Sequence, residues 1–265
     1  MVRNILKRNK MFVKLYEAIM GPKNQAKYEK AREYMEIHEI AKRTSDLMWA
    51  RIWSDTKEGV DFLCGENFAI SPGRWAVGYN YVYVMTRILD EIQPHFILDM
   101  GLGISSTLIS KYLTYKKFDD GKHIIAEHDK EWITFYCNQH KLSPYSSVQT
   151  QNLVTKSING TSYYAYENLV KTIGEKIKFQ VISIDGPFGS PQYSRRDILD
   201  LIPQYLDERF VIIMDDVNRE GEKNTISDIE KSLCQNNIKY VKGIYEGMSD
   251  CCVIVSENYK FLCTL

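Results

Sequence analysis

From about residue 73 onward, the chain alternates short apolar segments with helical segments, and this alternation constrains the fold more than any other feature of the sequence. The strand-like segments are Phe96–Met100, His123–Glu127, Phe179–Ile184, Phe210–Met214, Tyr240–Ile244 and Cys251–Val255. The helical segments are Trp75–Ile92, Ser105–Leu113, Lys130–His140, Arg195–Leu206 and Thr225–Cys234. Such alternation predicts a mostly parallel sheet covered on both faces, which is a doubly wound, Rossmann-like α/β fold. Ligands of these folds bind beyond the carboxyl ends of the strands.

Residues 1–65 precede this pattern and are predicted to form an N-terminal helical extension, with residues 66–265 as the Rossmann-like domain. Gly21-Pro22 separates two helical runs in the extension, because proline is poorly tolerated inside a helix but starts one well. Lys7, Arg8 and Lys10 make the first run basic. The extension could pack on the main domain, cover the substrate as a lid or form a homodimer interface.

Composition argues against several classes of protein. The 265 residues carry 34 basic and 34 acidic side chains, and this balance argues against a nucleic-acid-binding protein. No stretch approaches the ~18–20 apolar residues of a transmembrane helix, and the N-terminus lacks the apolar core of a secretory signal. The six cysteines form no CxxC pair, which is typical of reduced thiols. We therefore predict a cytoplasmic protein with no nucleic-acid partner.

The first strand ends in a glycine turn, Asp99-Met100-Gly101-Leu102-Gly103, and a helix follows from about Ser105. Glycine permits a tight turn and lets a ligand approach the backbone, while the helix start offers free N–H groups. Dinucleotide-binding loops carry a third glycine or alanine where this chain has Ser106, and no GxxxxGK[ST] sequence occurs. The turn therefore fits a cofactor without a pyrophosphate, and Asp99 could orient the turn and meet a positively charged amino-acid group.

The second strand ends at Glu127, a position from which a carboxylate can accept hydrogen bonds from both hydroxyls of a ribose. Asp129 is well placed to cap the following helix, which leaves Glu127 for the ligand. Glu127 and the glycine turn together indicate a cofactor site more strongly than either alone.

Two further strands end abruptly in carboxylates, with Asp185 after one and Asp215-Asp216 after the other. Adjacent parallel strands would bring the three together at one rim of the sheet, where their charges repel unless a cation or a proton intervenes. Oxygen ligands of this kind suit magnesium or another hard divalent cation. In the alternative interpretation, one aspartate caps a helix and another pairs with an arginine such as Arg195, Arg196 or Arg219.

With these residues, the chain resembles the class I S-adenosylmethionine-dependent methyltransferases, and more narrowly the metal-dependent catechol and caffeoyl-CoA O-methyltransferases. The resemblance covers about residues 70–220. It is carried by Ser71-Pro72-Gly73, the glycine turn, Asp185 and Asp215-Asp216. The catechol enzymes place a lysine base three residues after the first of these aspartates, where this chain has Phe188, so the base must differ.

A second resemblance is to the glucuronoxylan 4-O-methyltransferase group, which modifies a sugar hydroxyl. The matching segments are Asp185-Gly186-Pro187-Phe188-Gly189, a downstream Arg195 or Arg196, and Asp216-Val217-Asn218-Arg219-Glu220-Gly221-Glu222. This resemblance implies a methyl acceptor that is a sugar, a glycan or a related small molecule.

The two resemblances imply methyl transfer from a sulfonium to a substrate hydroxyl. Asp99, Gly101, Gly103, Ser105 and Glu127 would hold S-adenosylmethionine, Asp185, Asp215 and Asp216 a divalent cation, and Arg74, Arg195, Arg196 and Arg219 the substrate. Asp185, Asp216 or a histidine such as His128 would act as the base. The alternatives are a dinucleotide-dependent oxidoreductase, against which Ser106 counts, and a catalytically inactive methyltransferase-like scaffold.

Overall fold

The computed structural model describes residues 22–64, 76–174 and 177–264. The helices are α1 (Pro22–Lys57), α2 (Tyr79–Arg87, continued by a π-helical turn over Ile88–Ile92), α3 (Ile104–Lys116), α4 (Lys130–Gln139), α5 (Leu169–Ile173) and α6 (Glu220–Gln235). The strands are β1 (Phe96–Met100), β2 (Lys122–Glu127), β3 (Ser146–Thr150), β4 (Leu153–Ile158), β5 (Thr161–Tyr166), β6 (Phe179–Ile184), β7 (Leu206–Met214), β8 (Tyr240–Tyr245) and β9 (Cys251–Ser256). Short 3₁₀ helices span Arg196–Asp200 and Glu257–Cys263.

In the described part of the chain, seven strands form one sheet in the order β3-β2-β1-β6-β7-β9-β8. The strands from β3 to β7 in this order run parallel, whereas β9 runs antiparallel to both of its neighbours. The predicted doubly wound, Rossmann-like fold is therefore confirmed, with one reversed strand near the edge of the sheet. The strand order reverses between β1 and β6, and ligands of open α/β sheets bind at such a reversal.

The core lies in two layers because successive side chains of a strand point to opposite faces of the sheet. On one face, Ile97 and Val181 pack with Tyr81 of α2 and Leu108 of α3. On the other face, an apolar cluster joins Leu98, Ile182, Ile212, Ile226 and Ile229. Both faces of the central strands are thus buried, so polar groups are tolerated there only where they find hydrogen-bond partners.

Helix α1 extends across the division between two compact units, residues up to Thr44 and residues Ser45–Leu265. In the first unit, the described part of α1 carries exposed ion pairs one turn apart, such as Arg32 with Glu36. In the second, Trp49 is buried, and its Nε1 donates to the carbonyl of Glu246 at 2.7 Å. The predicted domain boundary at residue 65 stays a prediction, and the first helical run lies outside the described residues.

Among the described residues, none of the helices combines the length and the apolar character that crossing a membrane requires.

Two predicted features of secondary structure need correction. The helix predicted over Arg195–Leu206 is wrong beyond Asp200, because Pro203 has no amide N–H to donate within a helix and the chain enters β7 at Leu206. The sequence prediction also missed β3 and the hairpin β4–β5. Strand β3, Ser-Ser-Val-Gln-Thr, is polar, but Asn159-Gly160 at positive φ (49° and 80°) is a typical hairpin turn that the sequence could have revealed.

Candidate functional site

The glycine turn after β1 lies directly against the turn after β6. Gly101 has a φ of 111°, and a Cβ added to it would lie 3.1 Å from the amide nitrogen of Gly186. A Cβ on Gly186 would in turn lie 3.1 Å from the Cα of Gly101. Both positions therefore require glycine, since a side chain on either would push the two turns apart. The close approach brings the ends of β1 and β6 together at the predicted binding edge.

Asp99 is buried beneath this turn and is surrounded by hydroxyl groups. Its carboxylate accepts hydrogen bonds from Ser105 at 3.1 Å, Ser106 at 2.6 Å and Ser183 at 2.5 Å. The Ser106 hydroxyl also accepts from the backbone N–H of Gly103 at 3.1 Å. The predicted role of Asp99 in orienting the turn fits these contacts, and Ser105 faces Asp99 as part of the same network.

Glu127, at the end of β2, is 6% exposed, and several hydrogen-bond donors surround its carboxylate. Its Oε2 accepts from the amide of Leu102 at 3.0 Å, and its Oε1 from the amides of His128 and Asp129 at 2.6 and 2.9 Å. Burial opposes ionisation, but the contact with His128 and the three amides outweigh it and lower the pKa of Glu127. The residue is therefore ionised and can accept further hydrogen bonds.

The three aspartates that follow β6 and β7 meet at the next part of the same rim. One carboxylate oxygen from each of Asp185, Asp215 and Asp216 lies within 4.8 Å of the other two. Asp216 has a φ of 63°, a strained conformation for a residue other than glycine, and such strain is concentrated at functional sites. The predicted carboxylate cluster is thus assembled in the structure.

Arg195 lies inside this carboxylate cluster and is 4% exposed. Its Nη2 is 3.1 Å from Asp185 Oδ1 and 2.9 Å from Asp216 Oδ2, while its Nη1 donates to the carbonyl of Asp215 at 2.8 Å. Arg219 also pairs with Asp216, at 2.7 Å, but its side chain is 56% exposed. The pairing of aspartates with arginines considered in the sequence analysis is therefore present, with Arg195 as its centre.

One guanidinium does not offset three neighbouring carboxylates. Burial raises the pKa of Asp185 well above its ordinary range; Arg195 opposes this effect, and repulsion from Asp215 and Asp216 adds to it. Burial and then repulsion from Asp216 raise the pKa of Asp215 to about 6. These carboxyl groups hold a proton more readily than ordinary aspartates, so the cluster can accept a proton or an additional cation near neutral pH.

Arg196, one of the predicted substrate-binding arginines, makes its ion pair outside this cluster. Arg196 pairs with Asp228 of α6 and lies over the ring of Tyr193, with its guanidinium carbon 5.0 Å from the ring centre. The substrate-binding role of Arg196 stays a prediction. Arg74 and the Ser71-Pro72-Gly73 segment lie outside the described residues.

His128, considered above as a base, lies on the Glu127 side of the site. Its Nδ1 is 2.8 Å from Glu127 Oε1, and its ring contacts Phe188 edge to face with ring centres 4.7 Å apart. Phe188 is therefore a packing partner of His128.

The structure adds residues that the sequence prediction missed. Ser249 donates to the carboxylates of Asp215 and Asp216, at 3.0 and 2.8 Å as alternatives for its single proton. Gln151 follows β3 and is 3% exposed, and its side-chain Nε2 has no hydrogen-bond partner among the described residues. Such a buried free donor is rare unless a ligand serves it. Gln151 was missed because β3 was missed: a polar residue directly after a predicted strand would have been considered as a site residue.

The chain was compared with known proteins, and the matches are solved structures. No protein-family model and no curated protein matches the chain. An O-methyltransferase from Bacillus cereus in complex with SAH is 15% identical, covering 84% of this chain and 96% of its own with a TM-score of 0.48. The O-methyltransferase TomG from Streptomyces achromogenes is 11% identical, covering 82% and 97% with a TM-score of 0.46. Similarity at this level does not extend to activity, which has to be inferred from this chain's own residues.

Proposed function

We propose that the chain is an S-adenosylmethionine-dependent O-methyltransferase. The observation that carries the proposal is the meeting of the glycine turn, Glu127 and three aspartates at one rim of the sheet, where its strand order reverses. These groups suit, in turn, the amino-acid end of the cofactor, its ribose and the proton of an acceptor hydroxyl. Ser106 supports a cofactor without a pyrophosphate, because it occupies the third glycine position of dinucleotide-binding loops and is tied to Asp99.

The cofactor would be held by residues on three strand ends. Gly101 and Gly103 would face its amino-acid end, and Ser105, predicted to do the same, would support the turn through its hydrogen bond to Asp99. Glu127 is ionised, and its Oε2 accepts one hydrogen bond, from the amide of Leu102. Because a carboxylate oxygen has two lone pairs, Oε2 can also accept a hydrogen bond from a ribose hydroxyl. The free Nε2 donor of Gln151 would hydrogen-bond an acceptor atom of the nucleobase.

Methyl transfer would take place beside the carboxylate cluster. The acceptor oxygen would attack the methyl carbon in line with the sulfonium, so that a C–O bond would form while the C–S bond would break and leave its electron pair on sulfur. The acceptor hydroxyl loses its proton to a carboxylate of the cluster. Asp185 is the favoured base, since the raised pKa of Asp185 makes it a stronger base than an ordinary aspartate. Asp216 is a second candidate.

The residues of the cluster fit a divalent cation. Three carboxylate oxygens within 4.8 Å of one another form an all-oxygen donor set of the type that magnesium prefers. The two positive charges of Arg195 and Arg219 do not balance the three carboxylates of the cluster. A bound cation would offset the excess negative charge. A bound cation would acidify the acceptor hydroxyl, and the cluster would position it.

The proposed acceptor is a hydroxyl of a sugar, a glycan or a related small molecule. Support comes from the resemblance to the glucuronoxylan enzymes, since residues of the matching segments lie together in the structure. Arg195 contacts Asp185 and Asp216, and its Nε lies 3.8 Å from Glu222 Oε1. The exposed Arg219 at the edge of this group could pair with an anionic group of the substrate.

Calorimetric titration with S-adenosylhomocysteine, beside NAD, tests the proposal. We expect binding of S-adenosylhomocysteine alone, and a loss of at least tenfold in affinity in a Glu127→Ala variant. Absence of binding with and without magnesium would contradict the proposal and leave the inactive scaffold, whereas preferential NAD binding would favour an oxidoreductase.

The metal is tested separately with an Asp215→Ala variant. We expect this variant to bind S-adenosylhomocysteine as the wild type does but to lose methyl transfer and magnesium binding, the latter measured by calorimetry without substrate. Unchanged activity and magnesium affinity would contradict a metal at this cluster and leave Arg195 as its buried counter-ion.

A further inference from the structure

A chain of buried hydroxyl groups connects helix α2 to the glycine turn. The phenol of Tyr81 is 2.7 Å from the hydroxyl of Ser183, which is 2.5 Å from Asp99 Oδ1. All three residues are 0% exposed. Tyr81 lies on α2, Ser183 on β6 and Asp99 on β1, so the chain joins three separate elements.

The direction of these hydrogen bonds follows from elementary chemistry. The Ser183 hydroxyl donates its single proton to Asp99 Oδ1. The Ser183 oxygen is then left to accept the proton of Tyr81. Burial, followed by the charge of Asp99, raises the pKa of Tyr81 well above its ordinary value, which keeps the phenol protonated as the donor.

The hydrogen-bond chain continues from Asp99 into the glycine turn. Ser106 donates to Asp99 Oδ2 at 2.6 Å, and its oxygen is therefore free to accept the N–H of Gly103 at 3.1 Å. Tyr136 fixes the other side of Gly103 by donating to its carbonyl. The orientation of the Gly103 peptide thus depends on where Asp99 stands, and Asp99 is held by Ser183 and Tyr81.

Helix α2 is itself firmly attached at this point. Asn80, which precedes Tyr81, accepts the Tyr81 amide through its Oδ1 at 2.9 Å and donates to the carbonyls of Tyr245 and Ser249 at 2.8 and 2.7 Å. These hydrogen bonds fix the backbone at Tyr81, and a fixed backbone is needed for a side chain that positions other residues.

We infer that Tyr81 and Ser183 are positioning residues of the cofactor site, which act through Asp99 to hold the glycine turn in the conformation that accepts the amino-acid end of the cofactor. This inference depends on the proposed function for the identity of the ligand, but the hydrogen-bond chain itself does not.

The test uses the full chain with Tyr81→Phe, Ser183→Ala and both together. Tyr112→Phe is a matched control, because the Tyr112 phenol is equally buried and donates at 3.1 Å to the carbonyl of Pro94, away from the turn. We expect each single variant to bind S-adenosylhomocysteine about tenfold more weakly than the control. The double variant should be no weaker than the weaker single one, because Tyr81 acts only through Ser183.

A second ligand separates positioning from general damage. 5′-Methylthioadenosine lacks the amino-acid end, so its affinity, measured by ligand-observed NMR, should be the same in Tyr81→Phe and in Tyr112→Phe. An equal loss for both ligands in Tyr81→Phe, an equal loss in Tyr112→Phe, or unchanged binding in Tyr81→Phe would overturn the inference.

Amide hydrogen exchange without ligand keeps the two proposals distinguishable. Tyr81→Phe should speed exchange at Gly103, whose N–H bonds to Ser106, and Tyr112→Phe should not. If the wild type binds no S-adenosylhomocysteine, the proposed function fails, while the exchange rates still decide whether Tyr81 holds the turn. Equal exchange at Gly103 in both variants would contradict the chain.

Discussion

The two halves of the site treat buried carboxylates in opposite ways. In the half that is proposed to hold the cofactor, Asp99 accepts hydrogen bonds from three hydroxyls and Glu127 from three amides, and the pKa of Glu127 is lowered. In the carboxylate cluster, burial raises the pKa values of Asp185 and Asp215, and repulsion from neighbouring carboxylates adds to this effect. The first half is therefore stabilised by its charges, whereas the second is destabilised by them.

This difference matches what each half is proposed to do. A cofactor site has to be rigid before the ligand arrives, and fully served carboxylates fix the backbone around them. A carboxylate that takes a proton or holds a cation must not be fully neutralised by its neighbours in the folded protein, and this lowers the stability. The comparison can be tested through the sign of stability changes.

The largest effect is expected at Asp99. Asp99→Ala leaves three buried hydroxyls without their acceptor, so the free energy of unfolding should fall by about 3–5 kcal/mol. Urea denaturation measures the change. The control is Asp120→Ala, whose side chain is 63% exposed beside His95 and should cost less than about 1 kcal/mol. Equal effects of the two variants would remove the distinction between buried and surface carboxylates.

Glu127→Gln should destabilise the protein by about 2 kcal/mol at pH 7, because the amide replaces an ionised acceptor of three backbone N–H groups. The contribution of Glu127 exists above the pKa that it has in the unfolded chain and disappears as pH falls through its lower folded value. The difference between wild type and variant should therefore shrink in acid. Thermal unfolding at pH 7 and pH 3 measures it, and a difference that grew in acid would contradict the lowered pKa of Glu127.

Asp215→Asn should have the opposite sign and stabilise the protein by about 2 kcal/mol at pH 7 in the presence of EDTA. The folded pKa of Asp215, about 6, lies above its unfolded value, so its favourable contribution is complete below that unfolded value and is lost as pH rises through about 6. Denaturation curves from pH 4 to pH 8 should show this loss in the wild type and less of it in the variant. A destabilised variant at pH 7 would mean that the cluster is not under charge strain.

The smallest effect is expected at Arg219. Arg219→Ala removes an ion pair whose arginine is 56% exposed, and the free energy of unfolding should change by less than about 1 kcal/mol. Affinity for S-adenosylhomocysteine should not change, since the residue belongs to the carboxylate half. A large loss of stability would show that Arg219 shares the counter-ion role of Arg195.

The local sequence was informative about strand ends but not about partners across the sheet. Asp99, Glu127, Asp185 and Asp215 could be predicted because each follows an apolar run that fixes where a strand stops. Arg195 and Arg196 could not be told apart, because adjacent residues at the start of a 3₁₀ helix point in different directions. Arg195, at a φ of 56°, reaches the cluster, whereas Arg196 pairs with Asp228.

By itself, then, the sequence determined the fold class and the residues at the strand ends, because both depend on local apolar periodicity and on glycine. Only the tertiary structure decided that Ser183 and Tyr81 support Asp99 and that Arg195 joins Asp185 to Asp216. Those contacts join residues up to 102 positions apart, and no local pattern specifies which buried polar groups will meet when a sheet is assembled.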